Sequence, residues 1–259
     1  MEFEQAFALL HRYGQEQVLH YYDKLSDNKK IELLSAIDDI DLNAVNSALA
    51  SQEKVLGEIS TGDVLTLKEI KKKRAEYEAK GVTAIRLGKV GAVLLAGGQG
   101  TRLGFDKPKG MFDMGETRSL TIFECLMNNL IDLNKKTGVF VHLFIMTSPA
   151  TDAETRAYFA ENNYFGYDEK KIHFYVQGVT PAISFDGKIL MEEKYRPVLT
   201  PNGNGGWFSA LSSAGFTRTL TANGIEWLNV FGVDNVLQKI CDPAFIGATV
   251  IKQCSCGAK

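Results

Sequence analysis

Only four cysteines occur in the 259 residues, and no two stand in a C-x-x-C pair. That excludes a disulfide scaffold and a zinc ribbon. Cys254 and Cys256 form a C-x-C, but no second pair or histidine cluster follows to complete a metal site. The four therefore read as reduced thiols of a cytoplasmic protein. An excess of charge of either sign is missing as well. Lys and Arg total 29 against 31 Asp and Glu, a net −2. Such a chain has no global attraction for nucleic acid or an acidic membrane, so any anion must be held locally. Long apolar runs are absent: the longest uncharged stretch, Pro197 to Thr217, is interrupted by Pro, Asn and Gly and cannot span a bilayer. The opening MEFEQAFALLHRYG carries early glutamates and no basic n-region, unlike a secretory signal. With 45% hydrophobic and 23% charged residues, what remains is an ordinary globular protein, without repeats or low-complexity segments.

Turn formers are scarce at first and then frequent. All six prolines lie at or after Pro108, and 19 of the 24 glycines at or after Gly91. This divides the chain into a helical segment, 1–89, and an α/β region, 90–259. In the first, Phe3, Phe7 and Leu10 share a helical face, as do Val18, Tyr21, Tyr22 and Leu25. Asp27 suits the cap of a helix holding Ile31, Leu33, Leu34 and Ile37, and Leu42, Val45 and Leu49 suggest another. Thr66 and Glu69 have capping-box spacing and open a helix expected to stop near Gly81. Its Lys71–Arg74 run, balanced by Glu69, Glu76 and Glu78, reads as a solvated face.

From residue 90, strands alternate with helices. Val90–Ala96 is a short continuous apolar run, as in a buried parallel strand. An amphipathic helix follows over 119–136, then a strand over 139–147. A helix over 151–163 carries capping-box spacing at Thr151 and Glu154, and 172–176 is a third strand. A hairpin is expected over 183–191, turning at Asp186-Gly187. Residues 208–214 read as helix, 225–233 as strand, and 245–251 as helix or strand. The order predicts a Rossmann-like, doubly wound sheet with ligands at the carboxyl ends of its strands. His142, alternating with apolar strand residues, reads as a core histidine, and Met191 and Trp207 as packing.

The most informative segment is LLAGGQGTRLGFDKPKGM, residues 94–111. A buried strand runs into Gly97, Gly98, Gly100 and Gly104, and glycines let backbone amides approach phosphate oxygens without an intervening Cβ. Arg102 and Lys109 add positive charge. A Rossmann fingerprint fails here, because Leu103 stands where its third glycine belongs, and no Walker A run exists.

A strand followed by A-G-G-x-G-T-R-L and P-K-G resembles the signature loop of nucleotidyltransferases that make nucleotide sugars. Downstream, FYVQG (174–178), Pro181-Ala182, Asp186-Gly187-Lys188, PNGNGG (201–206) and Val233-Asp234-Asn235 follow in order. Together these resemble the eukaryotic-type UDP-N-acetylglucosamine pyrophosphorylases and their bacterial relatives, over roughly residues 90–259. The resemblance implies a glycosyltransferase-A-like nucleotidyltransferase sheet behind the small helical segment. It also implies UTP and a sugar 1-phosphate, with N-acetylglucosamine 1-phosphate favoured, as substrates, and Mg²⁺ as cofactor. It places Leu95, Ala96, Gly97 and Gly98 at uracil and phosphate, and makes Arg102 and Lys109 catalytic cations on the triphosphate. It sets Gln177 at the uracil edge, Gly203 and Asn204 near uracil and the acetamido sugar, and Asp234 at the metal. Plainer roles also suit some of these positions: a strand-end cap for Gln177, a tight turn for Gly203 and Asn204, a helix cap for Asp234.

Two alternatives stand beside this reading: a uridylyltransferase for glucose or galactose 1-phosphate, and a UTP-binding module without turnover. The second follows from length. Members of the family continue past the CGAK at 256–259 with further strands and sugar-contacting groups. The expectation is therefore an incomplete catalytic domain that binds UTP weakly and turns over little.

Overall fold

The computed structural model describes residues 1–49 and 64–259. In chain order the helices α1 (Phe3–Arg12), α2 (Asp27–Asp38) and α3 (Leu42–Leu49) precede the long α4 (Leu67–Arg86). Then come β1 (Val90–Leu95), α5 (Ile122–Thr137), β2 (His142–Thr147), α6 (Asp152–Glu161) and β3 (Ile172–Val176). The chain next makes short strands β4 (Val179–Pro181), β5 (Met191–Glu193), β6 (Arg196–Pro197) and β7 (Leu199–Pro201). It continues with α7 (Trp207–Ser213), α8 (Phe216–Ala222), β8 (Trp227–Gly232) and α9 (Pro243–Ile251). Among the described residues, no helix is long and apolar enough to cross a membrane.

Two compact units result, Met1–Ser60 with Gly178–Asn202, and Thr61–Gln177 with Gly203–Lys259. This differs from a break at residue 89, and packing explains why. In the first unit, Ala6, Leu10, Leu33 and Ile37 form a core that also takes in Ile189. The buried Gln15 fastens the 178–202 excursion to the amino-terminal helices: its Nε2 donates to the Gly187 carbonyl at 2.8 Å, and its Oε1 accepts from the Ile189 amide at 2.9 Å. The hairpin expected around Asp186-Gly187 is present, with Ile183 and Ile189 bridged and Gly187 at φ +81°. Around Val18–Leu25 the structure has two 3₁₀ turns, Glu16–Leu19 and Tyr22–Lys24, in place of the expected helix. Gly14, at φ +63°, ends α1 just before them.

The second unit is built on a four-stranded, all-parallel sheet in the order β3-β2-β1-β8. Val90, Ala92 and Leu94 face a core that includes Phe123, Leu126, Ile145 and Phe159. Val93 faces the other way, with Phe144, Met146, Tyr175 and Leu211. Burial on both faces accounts for the unbroken apolar run, since each fully buried side chain of this size contributes about 1.5–3 kcal/mol.

The α4 capping box forms as expected. Glu69 Oε2 accepts from the Thr66 amide at 2.8 Å, and Thr66 Oγ1 from the Glu69 amide at 3.3 Å. The helix does not stop at Gly81 but runs to Arg86. Gly81 is a packing glycine: a Cβ there would lie 1.9 Å from the Pro243 carbonyl oxygen. A Cβ on Gly247 of α9 would lie 1.7 Å from the Tyr77 carbonyl oxygen. Residues 64–89 therefore belong with the sheet, because α4 rests directly on α9. Lys71 to Arg74 are exposed, as the charge pattern predicts. The Thr151–Glu154 capping box does not form. Thr151 is fully buried, and its hydroxyl accepts from the Ser148 amide at 3.0 Å, which takes it out of the capping role.

Candidate functional site

β1 and β8 are neighbours whose chain connections leave in opposite directions, so their carboxyl ends flank a switch point of the sheet, where α/β folds hold ligands. From β1, the Ala96 amide donates to the Met146 carbonyl at 2.8 Å, and the Val233 amide, after β8, to the Leu95 carbonyl at 3.1 Å. Leu95 and Ala96 thus end the strand, and Gly97 and Gly98 start a loop directly above it.

That loop is a clamped hairpin. The Gly100 amide donates to the Lys107 carbonyl at 2.9 Å, and the Lys109 amide to the Gly98 carbonyl at 3.1 Å. A 3₁₀ turn, Thr101–Leu103, carries the exposed Arg102 at the far end, and Gly104 follows at φ +66°. Lys109 stands at the root. Next to it, Gly110 lies on Phe123 of α5, where a Cβ would come within 2.2 Å of the ring. The P-K-G run is therefore the way the lysine is seated against the core. The amides of Gly97, Gly98, Gln99, Thr101 and Arg102 donate to no other described residue. Free backbone amides of this kind are what an anion-binding concavity requires.

Gln177 follows β3, and its amide donates to the Thr147 carbonyl at 2.8 Å. Its side chain lies over Gly97, where a Cβ would sit 2.7 Å from Nε2. Gln177 as a residue is only 6% exposed; its side-chain amide hydrogen-bonds to no described residue, and both of its polar atoms stay open to solvent. A strand-end cap would make such bonds, and this amide makes none with the described residues. The excursion that begins at Gly178 returns at Asn202, whose amide donates to the Gly178 carbonyl at 3.0 Å. After that clasp the chain re-enters the sheet unit at Gly203. Gly203 has φ +76° and no atom within 4 Å of a built Cβ, and the exposed Asn204 leads into α7.

Asp234 follows β8 as an exposed side chain and forms an ion pair with Lys109. The residues are 125 apart in sequence, and nothing in the spacing announced their contact. Arg102 has no ion pair among the described residues. No cluster of three or more His, Cys, Asp or Glu side chains able to hold a metal occurs among the described residues, the C-x-C included. Asp234 alone still fits Mg²⁺, which takes one or two carboxylates and completes its shell with water and substrate phosphates.

His142 lies at the opposite, amino end of the strands. Its Nδ1 is 2.8 Å from His173 Nε2, and its Nε2 is 3.0 Å from Lys171 Nζ. Burial, and then the lysine charge, push His142 down, and burial pushes His173 down to about 4. Both are neutral at pH 7 and remote from the loop. Trp207 packs on the α7 face of the sheet and Met191 on the core of the other unit.

A family model described as UTP–glucose-1-phosphate uridylyltransferase matches residues 43–259. UDP-N-acetylglucosamine pyrophosphorylase of Saccharomyces cerevisiae is 37% identical over 257 residues, covering 92% of this chain and 54% of the yeast protein. UDP-N-acetylglucosamine diphosphorylase 1 of Arabidopsis thaliana is 34% identical over 269 residues, covering 95% and 52%. Among solved structures, the uridine diphosphate N-acetylglucosamine pyrophosphorylase of Trypanosoma brucei, in complex with an inhibitor, superposes with a TM-score of 0.78 at 27% identity. That alignment covers 96% of this chain and 55% of the trypanosome chain. A putative UDP-N-acetylglucosamine pyrophosphorylase from Entamoeba histolytica gives 0.68 at 36% identity, covering 75% and 50%. The chain spans about half the length of the curated relatives it matches.

Proposed function

As this chain belongs to the UTP–glucose-1-phosphate uridylyltransferase family, we propose that it carries the UTP-binding machinery of an enzyme that joins UTP to N-acetylglucosamine 1-phosphate. The products are UDP-N-acetylglucosamine and pyrophosphate. The names of the relatives support the sugar, and the loop geometry supports the nucleotide. The observation that carries the reading is the Gln177 amide, set over Gly97 and hydrogen-bonded to no described residue, beside a loop with free backbone amides and the cations Arg102 and Lys109. The cytoplasm, with its reduced thiols and nucleotide pool, is the proposed location.

In this reaction an oxygen of the sugar phosphate attacks the α-phosphorus of UTP. The bond from that phosphorus to the bridging oxygen breaks, and pyrophosphate leaves with the electron pair. The nucleophile is already an anion, so no serine, cysteine or histidine has to be activated. The work left to the protein is to align two polyanions and stabilise charge. Gln177, whose amide offers both an NH₂ donor group and a carbonyl acceptor, reads the uracil edge above Gly97. Leu95 and Ala96 form the floor beneath the base, and the amides of Gly97 and Gly98 receive phosphate oxygens. Arg102 and Lys109 act on the triphosphate and stabilise the departing pyrophosphate. Gly203 and Asn204 border the uracil and the acetamido sugar, and Asp234 would hold Mg²⁺. When bound, Mg²⁺ supplies positive charge to phosphate oxygens, a hard cation on oxygen ligands.

Titration calorimetry with UTP and ATP tests the assignment. Wild type is expected to prefer UTP, and Gln177→Ala to lose about tenfold in UTP affinity, the worth of one or two hydrogen bonds. ATP binding equal to UTP in the wild type would refute the role of Gln177. Gly97→Ala examines the same contact from the other side. The clash falls on the end of a flexible side chain, so the fold should stay within about 1 kcal/mol. The amide is pushed off station, and UTP affinity should fall toward that of Gln177→Ala. A variant with full UTP affinity would show that the Gly97–Gln177 contact does not position the base reader.

A further inference from the structure

Lys109 and Asp234 have separate tasks in the proposed reaction, yet the structure pairs them with each other. Their side chains are 26% and 65% exposed, so the lysine is the more enclosed partner. Arg102, on the same loop, has no such carboxylate among the described residues. A lysine amine is a compact charge on a flexible stem, able to exchange one oxygen anion for another by rotation. The carboxylate and a triphosphate therefore compete for one amine, while the amine and a divalent cation compete for one carboxylate.

We propose that the Lys109–Asp234 ion pair is a latch coupling metal to nucleotide. Asp234 withholds Lys109 from the triphosphate, and a divalent cation on Asp234 releases it. The inference rests on the reading that Lys109 contacts the triphosphate of UTP. Each ligand then removes one partner of the pair and makes the other available, so each raises the affinity for the other by the same factor. Asp234 acquires a second role: it holds the metal and also lowers affinity for metal-free nucleotide. An isolated carboxylate would repel the triphosphate whatever stands at position 109. The latch does so mainly through the lysine.

The test is a double-mutant cycle of UTP binding by calorimetry, in chelator and then in Mg²⁺. It uses wild type, Lys109→Met, Asp234→Asn and the double variant, with Asp234→Ser as a second replacement. In chelator, Asp234→Asn is expected to tighten UTP binding by roughly two- to fivefold, the range an exposed ion pair can withhold. In the Lys109→Met background the same change should have at most half that effect. The gain from Mg²⁺ should shrink in Asp234→Asn. An equal fold-change in both backgrounds would overturn the latch and leave Asp234 as a simple repulsive charge, because the cycle isolates the pairwise contribution. Weaker chelator-phase binding in Asp234→Asn and in Asp234→Ser would overturn it too. Absence of UTP binding to wild type in both buffers would overturn the reading of the site itself, and the latch with it. An additive cycle with measurable binding overturns the latch alone.

Discussion

Arg102→Ala is expected to weaken UTP binding by roughly 10- to 100-fold, because a hydrogen bond to a charged group contributes about 1.5–3 kcal/mol. Uridine affinity should stay unchanged, since the guanidinium stands on the outer turn of the loop and not beside Gln177. Stability should stay within about 0.5 kcal/mol, as for other exposed positions without structural partners. Arg102 is exposed and forms no ion pair among the described residues. Arg102→Lys should restore only part of the loss, because the ammonium keeps the charge and gives up the bidentate fork. The wild-type affinity should also fall with added salt, and less steeply in the alanine variant. Calorimetric titrations of UTP and uridine at two ionic strengths read all of this. Equal losses for the two ligands would remove Arg102 from the phosphate site.

Gly81→Ala and Gly247→Ala are each expected to destabilise the protein by about 3 kcal/mol, the upper range for overpacking a tight contact. In a solvated helix the same change would stabilise by nearly 1 kcal/mol. The sign reverses because the new methyl groups meet backbone and not a movable side chain. The Cβ at 81 would lie 1.9 Å from the Pro243 carbonyl oxygen, and that at 247 would lie 1.7 Å from the Tyr77 carbonyl oxygen and 2.8 Å from the Gly81 nitrogen. One separation of α4 from α9 relieves both clashes, so the double variant should lose less than the sum. Urea denaturation measures this as a shift of midpoint at constant slope. Lys80→Ala, on the exposed side of α4, serves as the control and should change little. Unchanged midpoints in both glycine variants would mean that the helices do not meet at their backbones.

The strand–loop unit at residues 90–111 is legible in the sequence because each of its signals is local. A two-sided buried strand must be apolar throughout, and a loop that presents amides needs glycine. The capping box at Thr66 and Glu69 was legible for the same reason. Thr151 and Glu154 have equal spacing and form no box, since burial gave the threonine hydroxyl the Ser148 amide as partner. Gly81 is not a stop signal: in sequence a helix-ending glycine and a helix-crossing glycine look alike, and only α9 tells them apart. The amphipathic look of Val18–Leu25 fitted a helix equally well, and 3₁₀ turns were the outcome. The excursion of residues 178–202 into the amino-terminal unit had no local sign, because it depends on a glutamine at position 15.

The parallel α/β architecture, the glycine-rich loop and the residue types of the candidate site follow from local signals in the chain. Periodicity, glycine and proline placement and charge are properties of neighbouring residues, and they act before any long-range contact exists. Which of those residues meet depends on long-range packing. It set Gln177 over Gly97, closed the excursion between Gly178 and Asn202, laid α4 on α9 and paired Lys109 with Asp234. Each contact joins segments far apart in the chain. Each depends on how strands order themselves and how closely backbones approach, and both follow from close packing of the whole unit rather than from the preferences of any segment.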